Sequence, residues 1–244
     1  MAETVASYGE FDAHVFSLLT DRQGGLWIGT DGNGIFHLPA GASIVQSVPE
    51  LEDIRVVPDL FESETGVLWI ATSSGVVRYD GHRADRVGAS LGLPDNQIHS
   101  ILADRRGGIW MSGNRGVFRV DAEELESVAL GQTERLTPTR FNRHDGMPRS
   151  ETNGGFQPPA WLDGDGQLWY PTTDGLAVFD PGRVDLLSPP PEPRITRVTV
   201  DDTPFDARTT LSIAPGPGRI TIDFATPVYA RAAHAVEYRG RLAD

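Results

Sequence analysis

Three groups of ionisable side chains in this sequence have residue types that can perform acid–base chemistry. They are Glu62 with Glu64, Asp163 with Asp165, and the adjacent pair His144 and Asp145. Paired carboxylates can hydrolyse a glycosidic bond, but only at a fixed separation across a cleft. Asp163 and Asp165 instead flank a glycine turn, where a carboxylate accepts hydrogen bonds from backbone N–H groups. We therefore expect this pair to cap a turn.

The sequence lacks the short motifs that accompany metal and cofactor chemistry. Its six His residues show no ligand spacing, there is no Cys, and Asp163-x-Asp165-x-Gln167 lacks the later bidentate Glu of a calcium loop. Phosphate-binding Gly-Lys-Ser/Thr loops and nucleophile-elbow serines are also missing. We expect no cofactor, no metal and no catalytic residue in this chain.

A short pattern occurs four times: a small polar residue, a glycine turn, an apolar residue and Trp. The copies are Asp21–Trp27, Ser63–Trp69, Asp104–Trp110 and Asp163–Trp169. Their Trp residues are 42, 41 and 59 positions apart. Strand-like repeats with a period near forty residues are typical of β-propellers, with one four-stranded blade per repeat. The sequence therefore predicts an all-β fold containing four blades of a partial propeller.

Each position of the repeat has a structural explanation. The first polar residue caps a turn, and the glycine three positions before Trp suits a left-handed hairpin residue. Trp lies on a strand and fills the space between neighbouring blades. A second glycine, six or seven positions after Trp, opens the next strand: Gly34, Gly75, Gly116 and Gly175.

The repeats organise the first 187 residues. We predict blades at about 13–48 and 53–87, a third that opens at 93–102, and a fourth that resumes at 160–162 and ends near 185. Extra sequence between Asp121 and Gly155 predicts a helix at 122–128 and a strand at 139–142.

A proline-rich linker, residues 188–193, marks the predicted domain boundary. Beyond it, polar and apolar residues alternate at 194–200, 219–224 and 235–239, which is typical of half-buried strands. Residues 194–244 are therefore predicted to form part of a small β-sandwich.

Composition restricts the class of partner. The 34 acidic residues outnumber the 21 arginines, lysine is absent, and the net charge is −13. This charge disfavours nucleic acid and anionic lipid as partners. No apolar run reaches eighteen residues, and the first ten residues lack the pattern of a signal peptide. We therefore expect no membrane insertion by this stretch of chain.

The repeats resemble those of the two-component regulator propeller family, in which Asp-x-x-Gly-x-Leu-Trp and a following Gly-Leu turn recur. The stretch 142–181, with His-Asp-Gly-Met-Pro at 144–148, is similar to that family's closing blade. The linker and residues 211–244 resemble the start of a three-Y domain, an immunoglobulin-like module, although Gly240 replaces its second Tyr.

The resemblance implies an extracytoplasmic, periplasmic sensor of carbohydrates or other small molecules. It also implies homodimerisation through the three-Y region and, in the intact receptor, a histidine kinase or diguanylate cyclase as output. A propeller-type polysaccharide lyase or hydrolase, or a protein-interaction scaffold, are the alternatives.

In a propeller, ligands bind at the loops that lead into the inner strands and at the turns between second and third strands. The polar and aromatic candidates there are Asn96, His99, Asn114, Arg115, Arg149, Asn153, Trp161 and Asp174. Arginines hold carboxylates with a bidentate fork, amides bind hydroxyls, and Trp stacks on a sugar face. Asn and Asp are also ordinary turn formers, which is the competing interpretation.

Overall fold

The computed structural model describes residues 13–184, 193–205 and 218–225. The chain divides into two compact units, residues 1–184 and 185–244. Within the described parts, no helix is long and apolar enough to cross a membrane.

The described part of the first unit, residues 13–184, contains four small antiparallel sheets. Blade one contains β1 His14–Thr20, β2 Leu26–Asp31, β3 Ile35–Leu38 and β4 Gln46–Ser47. Blade two contains β5 Leu60–Glu62, β6 Leu68–Thr72, β7 Gly75–Tyr79 and β8 Ala84–Val87. Blade three contains β9 Ile98–Ala103, β10 Gly108–Gly113, β11 Gly116–Asp121 and β12 Thr139–Phe141. Blade four contains β13 Trp161–Leu162, β14 Leu168–Thr172 and β15 Gly175–Phe179.

In every blade the strands pair in the order in which they occur along the chain. This meander is the arrangement of a propeller blade, and it confirms the predicted all-β, bladed fold. The predicted helix is also confirmed, as α1 Ala122–Ala129 between β11 and β12. Asp121 caps α1, since its carboxylate accepts hydrogen bonds from the N–H groups of Glu123 and Glu124.

Strand pairing gives each blade two distinct faces, because residues opposite each other on neighbouring strands share a face. We call the first the Trp face. Its rows are Leu19–Trp27–His37, Phe61–Trp69–Arg78, Leu102–Trp110–Arg119 and Trp161–Trp169–Val178. We call the second the back face. Its rows are Leu18–Ile28–Phe36, Leu60–Ile70–Val77, Ile101–Met111–Phe118 and, in blade four, Tyr170–Ala177.

Among the described residues, the buried side chains form three clusters, each made by the Trp face of one blade and the back face of the next. Trp27 packs on blade two, Trp69 on blade three and Trp110 on blade four. Trp110 is fully buried, and its ring stacks on Phe141 with centroids 5.4 Å apart. The prediction that Trp fills the space between blades is confirmed for these three residues.

Tyr170, on the back face of blade four, is fully buried, and its hydroxyl has no hydrogen-bond partner among the described residues. A buried polar group without a partner destabilises the fold. We expect Tyr170→Phe to leave the free energy of unfolding unchanged or to raise it by up to about 1 kcal/mol. Urea denaturation measures this change.

Tyr79 provides the matched control, because its hydroxyl is hydrogen-bonded to Glu50. Tyr79→Phe should lower the free energy of unfolding by about 1 kcal/mol. Equal losses in both variants would contradict the assignment of an unpartnered Tyr170 hydroxyl.

The described part of the second unit is one antiparallel sheet in the order β17–β16–β18. Its strands are β16 Arg194–Val200, β17 Thr203–Phe205 and β18 Ile220–Ala225. These strands include the predicted ones at 194–200 and 219–224. The predicted strand at 235–239 and residues 188–192 of the linker lie outside the described residues. The immunoglobulin-like sandwich stays a prediction.

Candidate ligand-binding rim

The polar residue that begins each repeat binds both a turn and a side chain. In blade three, one oxygen of Asp104 accepts hydrogen bonds from the N–H groups of Arg106 and Gly108. Its other oxygen accepts from the indole N–H of Trp110 at 2.7 Å and from Arg119 Nε at 3.2 Å. Burial opposes ionisation, but these hydrogen bonds outweigh it and lower the pKa of Asp104.

The other repeats vary this arrangement. In blade one, His37 Nε2 lies 2.7 Å from Asp21 and its ring stacks on Trp27. In blade four, Asp163 accepts from the Trp169 indole N–H at 2.8 Å. That bond and the backbone donors of the turn lower the pKa of Asp163. The expectation that Asp163 caps a turn is confirmed.

Blade two has Ser63 at this position in place of an aspartate. Ser63 Oγ still accepts from the N–H of Val67, which preserves the turn. Arg78, opposite Trp69, pairs instead with Asp80 at 3.0 Å and with Glu126 of α1 at 2.8 Å. The second pair attaches the inserted helix to blade two.

The two other ionisable groups also have structural partners. Glu62 accepts a hydrogen bond from the N–H of Arg22, and Asp145 accepts one from the N–H of Asn142 in a capping box. In the parts of the chain that the structure describes, no cluster of three or more His, Asp or Glu side chains could hold a metal ion.

The loop that leads into blade four joins the ends of blades three and four. Thr152 donates from its N–H and from Oγ1 to the carbonyl of Gly113, each at 3.2 Å, and forms a β-bridge with Thr172. The backbone N–H of Asn153 donates to the carbonyl of Pro171 at 2.9 Å. This loop therefore lies at the end of the blades that carries the β10–β11 and β14–β15 turns, which we call the rim.

Several predicted site residues meet on blade three of the rim. Asp95, in the loop that leads into β9, accepts a hydrogen bond from the N–H of Arg115 at 3.1 Å. The Arg115 guanidinium donates to the carbonyl of Pro94 and is exposed, as is Asn114 beside it. Asn96 is also exposed, but its side chain accepts from the N–H of Ala89 and so supports the loop.

His99 and Asn153 lie deeper in the same rim. His99 Nδ1 is 3.2 Å from Thr152 Oγ1. Burial lowers the pKa of His99, although its contact with Thr152 and the charges of Asp95 and Glu151 oppose the change. The lowered pKa favours the neutral imidazole.

The candidate site residues of blade four either pair with each other or lie away from the rim. Arg149 Nε and an Asp174 carboxylate oxygen are 3.2 Å apart, so these two exposed residues pair with each other. Trp161 does not lie on the rim: it belongs to the Trp face of β13, at the position that Leu19 and Leu102 occupy in other blades. Asp174 also uses its N–H to bind Thr172 Oγ1.

Sequence reasoning missed Asp59, a buried carboxyl between blades two and three. Its oxygens accept from the N–H groups of Leu60 at 3.0 Å and Ile101 at 2.9 Å. Burial raises its pKa to about 7, against the effect of these two bonds. Alignment of the repeats could have revealed it, because Ser17 and Ser100 occupy the same position, four residues before the turn cap.

A second missed residue is Gln157, in the loop that leads into blade four. Its side-chain amide accepts from the N–H of Leu18 at 2.8 Å and donates to the Leu18 carbonyl at 2.7 Å. Nearby, Gly155 approaches the Phe16 ring, so this loop contacts the inner strand of blade one. Nothing in a repeat pattern indicates a contact between sequence positions so far apart.

The bladed fold has counterparts among known proteins. The pattern of the family described as "Two component regulator propeller" matches residues 9–32 and 92–115, which contain the first and third repeats. The extracellular domain of the putative hybrid two component system BT3049 from B. thetaiotaomicron is similar in structure, with a TM-score of 0.58 and 24% identity. What the chain shares with these proteins is the bladed β-propeller fold.

The alignment with BT3049 covers 75% of this chain and 24% of that one. The extracellular domain of the putative one component system BT4673, from the same organism, matches with a TM-score of 0.55 and 20% identity. That match covers 70% of this chain and 24% of BT4673. This chain therefore spans about a quarter of the length of these structures. No curated protein matches it.

Proposed function

We propose that this chain is the ligand-binding part of an extracytoplasmic sensor and that its rim binds an oligosaccharide without converting it. The observation that carries the proposal is the exposed Asn114–Arg115 turn, which Asp95 and Pro94 fix on blade three of the rim. An amide beside a guanidinium offers donors for sugar hydroxyls and for a carboxylate.

Three further observations support binding without catalysis. Asp163 accepts a hydrogen bond from the Trp169 indole N–H and Asp145 caps a helical turn, so both carboxylates have structural roles. His99 is half-buried and in contact with Thr152. The family match at two repeats and the similarity to sensor domains agree with a sensing role.

The test is isothermal titration of the purified chain with matched neutral and uronic-acid oligosaccharides. Because Arg115 supplies a cation, we expect acidic members to bind more tightly. We expect Arg115→Ala to weaken their binding about tenfold or more, the usual effect of losing a charge-assisted hydrogen bond. Asn114→Ala should weaken neutral and acidic members alike.

Arg105→Ala is the matched control. Arg105 is an exposed arginine of the same blade, but it lies in the β9–β10 turn, at the opposite end of β10. Its loss should leave binding unchanged. Binding that is insensitive to Arg115→Ala and Asn114→Ala would contradict the proposed site, and chromatographic detection of shortened products would favour a lyase or hydrolase.

The remaining parts of the proposal concern the intact receptor. We propose a periplasmic location and an output by a kinase or cyclase, as the resemblance implies. Dimerisation through residues 194–244 stays a prediction. It is compatible with the apolar side chains Ile195, Ile220 and Ile222, which are all exposed on the β16–β18 sheet.

A further inference from the structure

His99 departs from the repeat at the position five residues before the turn cap. The other three blades have apolar residues there: Phe16, Pro58 and Pro158. Blade three is also the blade whose β10–β11 turn presents the exposed Asn114 and Arg115. The half-buried His99 lies beside this turn, because its neighbour Ile98 pairs with Gly113 at the end of β10. The unusual residue and the exposed turn therefore belong to one part of the rim.

The contacts of Thr152 determine which ring nitrogen of His99 carries hydrogen. Thr152 Oγ1 lies 3.2 Å from the carbonyl oxygen of Gly113 and 3.2 Å from His99 Nδ1. The hydroxyl has one hydrogen, and a carbonyl oxygen has none to donate. The hydroxyl hydrogen therefore points at Gly113, and the hydrogen of the second contact comes from Nδ1. Only this assignment places a hydrogen in both contacts.

The other ring nitrogen of His99 then presents a lone pair. A neutral imidazole that carries its hydrogen on Nδ1 can only accept a hydrogen bond at Nε2. Burial favours this neutral form, because it lowers the pKa of His99. No side chain in the described parts of the chain hydrogen-bonds to Nε2. A Cβ on Gly154 would lie 3.0 Å from His99 Cγ, so this glycine lets the loop into blade four pack directly on the ring.

We propose that His99 Nε2 is a hydrogen-bond acceptor of the rim and that it selects oligosaccharides with a free hydroxyl near the carboxylate that Arg115 holds. This inference rests on the proposed function, because it assigns a role within the same site. The Arg115 guanidinium can only donate, whereas Nε2 can only accept. A site that pairs with a hydroxyl rejects an analogue without it, since the acceptor is then left unpaired. Thr152 is the positioning residue, because it fixes the tautomer.

The first test is the nitrogen NMR spectrum of the His99 ring in the free chain at neutral pH. We expect long-range proton–nitrogen correlations to show hydrogen on Nδ1 and none on Nε2. Thr152→Ser should retain this pattern, and Thr152→Val, which lacks the hydroxyl, should give a mixture of both tautomers. Hydrogen on Nε2 in the parent chain would overturn the inference and leave the proposed function standing.

The second test is isothermal titration with the uronic-acid oligosaccharide that the parent binds most tightly. Asn has its amide as many bonds from the backbone as Nδ1, and Gln has its amide oxygen as many bonds away as Nε2. His99→Asn should therefore keep a donor to Thr152 but weaken binding about tenfold or more. His99→Gln retains an acceptor at the site and should weaken binding by less than about threefold.

His82→Asn is the matched control, because His82 is exposed in the β7–β8 turn, at the end of blade two away from the rim. It should leave binding unchanged. Removing the sugar hydroxyls one at a time should identify one whose loss weakens binding to the parent but not to His99→Asn. Binding that His99→Asn leaves unchanged would overturn the inference alone. A parent chain that binds no oligosaccharide of the series would overturn the proposed function together with it.

Discussion

Trp110→Ala should lower the free energy of unfolding by about 3–5 kcal/mol, the usual cost of removing a large aromatic side chain from a core. Trp110 is fully buried between blades three and four, where it contacts Phe141 and Phe179. Its removal also leaves Asp104 without the indole N–H. Equilibrium urea denaturation measures the loss, and a change below about 1 kcal/mol would contradict the packing described above.

Two further variants separate the causes. Trp110→Phe retains an aromatic ring but removes the hydrogen bond to Asp104, so we expect a loss of about 1–3 kcal/mol. Trp161→Ala removes the same side chain from an exposed position, and at concentrations that keep the chain monomeric it should cost less than about 1 kcal/mol. A similar loss for Trp161→Ala and Trp110→Ala would show that burial does not decide the effect.

The second large effect concerns Asp59 and pH. An aspartate in an unfolded chain has a pKa near 4, whereas burial raises that of Asp59 to about 7. Between these values the folded chain binds a proton that the unfolded chain does not. Protonated Asp59 therefore stabilises the fold fully below about pH 4. This contribution to the free energy of unfolding is lost as the pH rises through 7, by up to about 1.4 kcal/mol per pH unit.

Asp59→Asn isolates this effect because its side chain does not titrate. From pH 4 to pH 7, the free energy of unfolding of the parent should fall relative to that of Asp59→Asn. The other titratable groups, His99 among them, are present in both proteins, so their contributions cancel in the difference. A difference independent of pH would show that Asp59 is ionised in the folded chain throughout the range.

The repeat pattern was enough to predict the blades because each of its positions is a local requirement. Gly107 adopts a left-handed φ of 79° in the turn that Asp104 caps, as its position before Trp110 predicted. The cap of α1 by Asp121 follows from local sequence in the same way. Such features depend on residues within one turn or one strand pair.

Features that depend on contacts between blades were not accessible from the sequence. The pairing of Arg149 with Asp174 arises because the loop into blade four folds back over the β14–β15 turn. Trp161 is an aromatic residue near a loop in the sequence, which suggested a sugar platform. The register of β13 with β14 is what places Trp161 on the Trp face, opposite Trp169.

The two hydrogen bonds between Gln157 and the backbone of Leu18 have a consequence for measuring motion. The Leu18 N–H can exchange with solvent deuterium only when the Gln157 amide moves away. Because the two residues belong to the fourth and first blades of the unit, the exchange rate at this single amide reports how often those blades separate. A ligand that holds these two blades together would slow the exchange.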